Sequence, residues 1–278
     1  MNFLVLLLVL WVEKFSSWRS PIQNDGPFLR LLAAVQGQGE DSARPWVSLL
    51  LIVLLPVLAL GLILLALESV MYGWLALPVH LLVVVYSLGR GDLQAALGPF
   101  RDSWRRGDAE AAYLVAQRDL GIEAEEPATL LERVQKYMVW EAFQSFFAVI
   151  FWYALLGPMA ALGYRLVALL SEHATQPALK EIAGQVRHGF DWLPVRMLAL
   201  SFSLVGNFSA VSRSLLHELL SWDISAAQLA VMTARAAGEI PSPALGEEGV
   251  ATLDTLWQLL VRAAMFWYAI VAVWILLV

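Results

Sequence analysis

The stretch Trp46–Leu67, "WVSLLLIVLLPVLALGLILLAL", decides the fold class. It runs 22 residues without a charge, and ~20 apolar residues suffice for a helix to cross a bilayer core. Pro56 and Gly61 lie inside it. In lipid such residues are tolerated and predict a kink, because neighbouring helices can satisfy the freed backbone groups. A second apolar block, "MYGWLALPVHLLVVVYSLG", Met71–Gly89, follows after only three residues. So short a connection predicts a tight antiparallel hairpin.

The composition agrees. The chain has 278 residues, is 59% hydrophobic and only 15% charged, and carries 12 tryptophans. Soluble domains carry about a quarter charged residues, and indole rings favour membrane interfaces. The expected fold is all-α, a polytopic membrane protein with four to five membrane helices. Segments are expected at about 3–18, 46–67, 71–89, 142–170 and 263–278, all in a single membrane domain spanning 1–278. The first of these lacks a basic start and a small-residue cleavage site, so it reads as a retained helix rather than a signal peptide. Lys14 would snorkel at its end.

Between the apolar blocks the character changes. Residues 90–141 read as a cytoplasmic helical loop, with Asp108 starting one helix and Gly121 stopping it. Arg90, Arg101, Arg105, Arg106, Arg118, Arg133 and Lys136 fall here, and basic residues mark the cytoplasmic side. The block 142–170 exceeds one straight span. Gly157-Pro158 in its middle makes either a kink or a break into two half-helices. The break would keep the following region, 171–261, in the cytoplasm, and a simple crossing would put it outside. That region reads as interfacial helices.

Several chemistries are excluded by pattern. There is no cysteine, hence no disulfide or thiolate site. The net charge of -6 argues against nucleic acid as a partner. With no phosphate-binding loop, no H-E-x-x-H and no metal spacing among His80, His173, His188 and His217, no metal ligand set or cofactor is assigned. His80 lies in an apolar block, where a polar residue is costly and often functional; it reads either as part of a site or as a neutral imidazole bonded to a neighbouring helix.

Three polar groupings remain. The stretch "FDWLPVRM", Phe190–Met197, places Asp191 to cap a helix beginning at Pro194 and running to about Leu220. Arg196, Ala199, Ser203, Gly206, Asn207, Ala210, Ser214 and His217 would share one small-and-polar face of it. Arg196 could meet a carboxylate or phosphate with its forked donors, or pair with Asp191. Glu141, Gln144 and Ser145 make a second face at i, i+3 and i+4. Tyr164 and Arg165 make the third. The candidate ligand-binding residues are therefore Glu141, Gln144, Tyr164, Arg165, Asp191, Arg196, Ser203 and Asn207, facing a small anionic ligand, with the lipid bilayer as the other partner. No catalytic residue is assigned.

Taken together, "FWYALLGPMAALGYRLVALLSE" and "FDWLPVRM" resemble the CobD/CbiB family of cobalamin-biosynthesis membrane proteins. With "GRGDL" and "QRDL" in the basic loop, the chain resembles more closely the AmpE family, encoded with the β-lactamase induction system. The resemblance implies a multi-pass protein of the bacterial inner membrane with an accessory or signalling role in β-lactamase induction and the antibiotic response. The alternative it implies is ATP-dependent amide ligation of the CobD/CbiB type, adenosylcobinamide-phosphate synthase-like. Against that family's pattern, Glu141 and Gln144 fall near an acidic array. Ala168-Leu169-Leu170-Ser171 replaces N-T-L-D, and Arg187 and His188 stand where two aspartates are expected. Magnesium needs carboxylate ligands, so the departures lean away from an enzyme and towards a retained pocket.

Overall fold

The computed structural model describes residues 4–9, 22–36, 45–68, 74–89, 92–123, 126–241 and 245–277. Among these residues the structure is helical and contains no strand. Beyond a short helix over 4–9, the elements are α1 (Gly26–Gln36), α2 (Pro45–Glu68), α3 (Ala76–Ser87), α4 (Leu93–Arg105), α5 (Ala109–Leu120), α6 (Pro127–Ala142), a π-helical turn (Phe143–Phe147), α7 (Ala148–Leu156), α8 (Pro158–His173), α9 (Pro177–Val205), α10 (Phe208–Leu215), α11 (Ala226–Ala237) and α12 (Glu247–Leu277). Among the described residues, three stretches are long and apolar enough to cross a membrane: Pro45–Leu67, Thr129–Leu156 and Glu247–Val273; Ala76–Ser87 is a shorter apolar helix. The chain thus has the character of an all-α polytopic membrane protein. Most of the expected first segment, Lys14 and Arg90 lie outside the described residues, as does the turn between the first two apolar blocks.

The chain forms two compact units. The first comprises 1–90 and 148–191, and α8 is its centre. Helices α1, α2, α3 and α7 all pack on α8. Its side chains Leu166, Val167, Leu169 and Leu170 are buried with Phe28 and Leu32 of α1, Leu49, Ile52 and Val53 of α2, and Leu179 and Ala183 of α9. The side chain of Gln23 donates to the carbonyl of Val85 at 2.9 Å and also reaches those of Leu88 and Gly89. It therefore satisfies acceptors at the end of α3 that no helical N–H can reach.

The second unit comprises 91–147 and 192–278. Asp108 caps α5 by accepting from the Ala111 N–H at 3.0 Å, and Gly121 ends it in the left-handed conformation, both as the sequence predicts. Helices α4, α6 and α11 pack against α12. Gln135 donates to Thr252 at 2.8 Å, and Arg101 pairs with Asp254. Further along, the ring of Phe147 meets that of Trp267 edge-on, 5.3 Å between centroids. Contacts 135–252 and 147–267 advance in the same sense along both segments, so α12 runs parallel to α6 and the π-helical turn that continues it. The terminal apolar block begins earlier than expected, as one helix from Glu247.

Gly157 resolves the open choice inside 142–170. Helix α7 ends at Leu156 and α8 starts at Pro158, and the two pack against each other, which requires a break rather than a gentle kink. Gly157 sits at φ 80°, ψ -166°, a region that is essentially glycine-only. Pro158 then occupies the first helical position, where its missing N–H has no helical partner to lose. A Gly157→Ala substitution is expected to destabilise the protein by about 1–3 kcal/mol, read as a lower midpoint in detergent-induced unfolding.

Candidate functional site

The expected helix start at Pro194 is not what forms. Helix α9 runs unbroken from Pro177 to Val205, with Pro194 inside it. A proline in a helix interior leaves the carbonyl four residues earlier without its donor. That carbonyl belongs to Phe190, and the indole Nε1 of Trp152 donates to it at 3.2 Å. An outside donor thus replaces the missing bond, so Pro194 does not terminate the helix. The break comes instead at Gly206, where an added Cβ would lie 2.8 Å from the Ala237 carbonyl oxygen. The single stripe expected from Arg196 to His217 is therefore divided between two helices.

Asp191, freed from capping, has a different role. Its Oδ1 accepts from the Tyr164 hydroxyl at 2.9 Å. Its Oδ2 lies 3.7 Å from Nε of Arg187, one helical turn earlier. Arg187 donates through Nη1 to Ser171 at 2.9 Å and to Glu172 at 3.1 Å. Tyr164, Ser171 and Glu172 all belong to α8, so this network joins α8 to α9. Asp191 is 3% exposed. Burial pushes its carboxyl up to about 6, against the opposing pull of Arg187, the Tyr164 hydrogen bond and the charge of His188.

Arg165, beside Tyr164 on α8, faces another partner. Its Nη2 lies 3.8 Å from Oδ2 of Asp25, which is also buried. Adjacent residues of one helix thus engage two different segments of the first unit, Tyr164 holding α9 and Arg165 holding the chain ahead of α1.

The other candidates lie in the second unit. Gln144 donates to Glu141 at 2.6 Å, at the start of the π-helical turn. The guanidinium of Arg196 is turned onto backbone: Nε donates to the Leu219 carbonyl at 2.5 Å, Nη1 to that of Trp192 at 2.8 Å, and Nη2 to that of Ser221. It also lies 4.0 Å from the centroid of the Trp192 ring, a favourable cation–π distance. Ser203 is buried and donates back to the Leu200 carbonyl at 2.6 Å. Asn207 caps α10 by accepting from the Ala210 N–H at 3.0 Å and donates to Glu239.

The structure brings Tyr164 to Asp191 and Glu141 to Gln144. It gives Arg165, Arg196, Ser203 and Asn207 partners from outside the candidate set. Sequence reasoning missed Asp25 and Glu172, and it read Ser171 and Arg187 only as replaced acids. The i, i+4 spacing of Arg187 and Asp191 was the available signal. Among the described residues, no three His, Asp or Glu side chains gather to hold a metal ion.

A family model described as "Regulatory signalling modulator protein AmpE" matches residues 1–243. The chain belongs to the AmpE family. No curated protein and no solved structure matches the chain. Its apolar helices and its family together make it a membrane protein with a regulatory signalling role.

The raised Asp191 carboxyl gives a pH dependence. Its ordinary value is 3.8, so the native state binds this proton more tightly than the unfolded chain does. The stabilisation is complete below about 3.8 and is lost as pH rises through about 6. That gap corresponds to about 3 kcal/mol. Wild-type stability in detergent should therefore fall between about pH 4 and pH 7, and Asp191→Asn should flatten this part of the profile.

Proposed function

We propose that this protein is an accessory component of the inner membrane that modulates the signal inducing β-lactamase in response to antibiotic. The match to a regulatory signalling family over residues 1–243 carries the reading. The site geometry supports modulation over catalysis. Tyr164 donates to Asp191, Arg187 is engaged with Asp191, Ser171 and Glu172, and Arg196 is committed to three carbonyl groups.

A small anionic ligand meeting Glu141, Gln144, Tyr164, Arg165, Asp191, Arg196, Ser203 or Asn207 would have to exchange an existing internal bond for a new one. Such an exchange shifts a conformational equilibrium by the ligand's differential affinity for the two arrangements. It is the kind of coupling a signalling protein needs. Ligand binding in this form is part of the proposal.

The test is β-lactamase induction by a β-lactam in cells lacking the protein, complemented with wild type or with Asp191→Asn at matched membrane abundance. Wild type should restore the normal response, and Asp191→Asn should shift the antibiotic concentration at half-maximal induction. An unchanged response in cells lacking the protein would overturn the signalling role. Separately, purified protein supplied with ATP, magnesium, aminopropanol phosphate and a corrinoid acid should form no amide. Amide formation would establish the ligase reading instead.

A further inference from the structure

The second unit exposes apolar side chains where no hydropathy criterion marks a span. On the last turns of α9, Met197, Leu200 and Leu204 recur at helical spacing on one exposed face. Phe208 follows at the start of α10. Beyond α10, Leu216, Leu220 and Trp222 are 73%, 81% and 57% exposed. Exposed contiguous apolar surface of this kind marks an interaction site.

Two observations identify what covers it. First, Trp267 Nε1 donates to the Ser201 hydroxyl at 2.7 Å. Trp267 lies inside the apolar stretch Glu247–Val273, and Ser201 lies on the flank of the Met197–Leu200–Leu204 stripe. That end of α9 therefore packs beside a helix suited to lipid. Second, the exposed side of Phe208–Trp222 is mixed. Arg213, Leu216, His217 and Leu220 recur at i, i+3, i+4 and i+7, all exposed. Leucines interleaved with a long cationic side chain suit the boundary between acyl chains and phosphates, where arginine can reach outward while leucine stays in hydrocarbon.

The segment is also held in one orientation. The Arg196 guanidinium grips the carbonyls of Leu219 and Ser221. The Trp192 ring lies under that guanidinium and stacks on Trp222, 6.2 Å between centroids. Those contacts hold the backbone on either side of Leu220 and next to Trp222.

We propose that Met197–Trp222 is a lipid-facing anchor seated at the headgroup–acyl boundary, with Arg196 as the clamp that orients it. Acyl chains cover Leu204, Phe208, Leu216 and Leu220, and Arg213 meets lipid phosphate. The inference is independent of the signalling role.

The chain has no cysteine, so single cysteines carry spin labels without background. Labels are placed at Leu204, Leu216 and Leu220, with Asp102, on the exposed side of α4, as the aqueous reference. In vesicles of phosphatidylethanolamine and phosphatidylglycerol, collision with oxygen should exceed collision with a soluble nickel chelate several-fold at 204, 216 and 220, and the order should reverse at 102. Dominant nickel collision at 216 and 220 would overturn the anchor. So would spin–spin coupling between copies with loss of oxygen access, which would make a second copy the partner. Adding Arg196→Lys should mobilise the label at 220 while leaving 204 unchanged, and an unaltered spectrum at 220 would overturn the clamp.

Discussion

The first unit depends on a carboxylate that the sequence places where water cannot reach it. Asp191 is 3% exposed, and burying an ionised carboxylate is costly unless partners replace its hydration. The Tyr164 hydroxyl and the Arg187 guanidinium do so in part, from two elements, and burial still holds the carboxyl up at about 6. Apolar packing alone would leave α8 and α9 free to slide past one another, since leucine contacts are non-directional. A hydrogen bond and an ion pair at fixed positions select one register. Arg165 and Asp25 supply a second such restraint on the neighbouring residue of α8.

In the second unit, a buried cation has the corresponding role. Arg196 satisfies carbonyls where the chain leaves regular helix after α10. Helix ends leave acceptors without donors, and two guanidinium contacts, to Leu219 and Ser221, supply donors there while fixing the following turn. The "DWLPVR" stretch thus divides its labour. Asp191 ties α9 to α8, Trp192 supports the guanidinium, and Arg196 binds the turn at 219–221. Its proline persists in a long helix because Trp152 provides the donor it lacks.

Much of this was legible in the residues. The uncharged run Trp46–Leu67, the Asp108 and Gly121 signals and an interruption at Gly157-Pro158, either kink or break, all follow from composition and local backbone chemistry. The course of α9 did not. Local rules favour a helix start at Pro194, and only a tertiary donor on another helix reverses that preference. The candidate site was partly legible for the same reason. Asp191 and Tyr164 stand out as polar residues among apolar ones, but their pairing spans 27 residues, and periodicity carries no information about such distances. Asp25 sits in a short non-helical stretch with no pattern to single it out.

Membership in a regulatory signalling family and polar groups already engaged inside the protein point the same way. The side chains most suggestive of chemistry tie helices and turns together. A double-mutant cycle between Tyr164→Phe and Asp191→Asn, read by unfolding in detergent, tests this most directly. A coupling of about 1.5–3 kcal/mol, typical of a hydrogen bond to a charged group, is the predicted result. Strict additivity of the two substitutions would contradict the account.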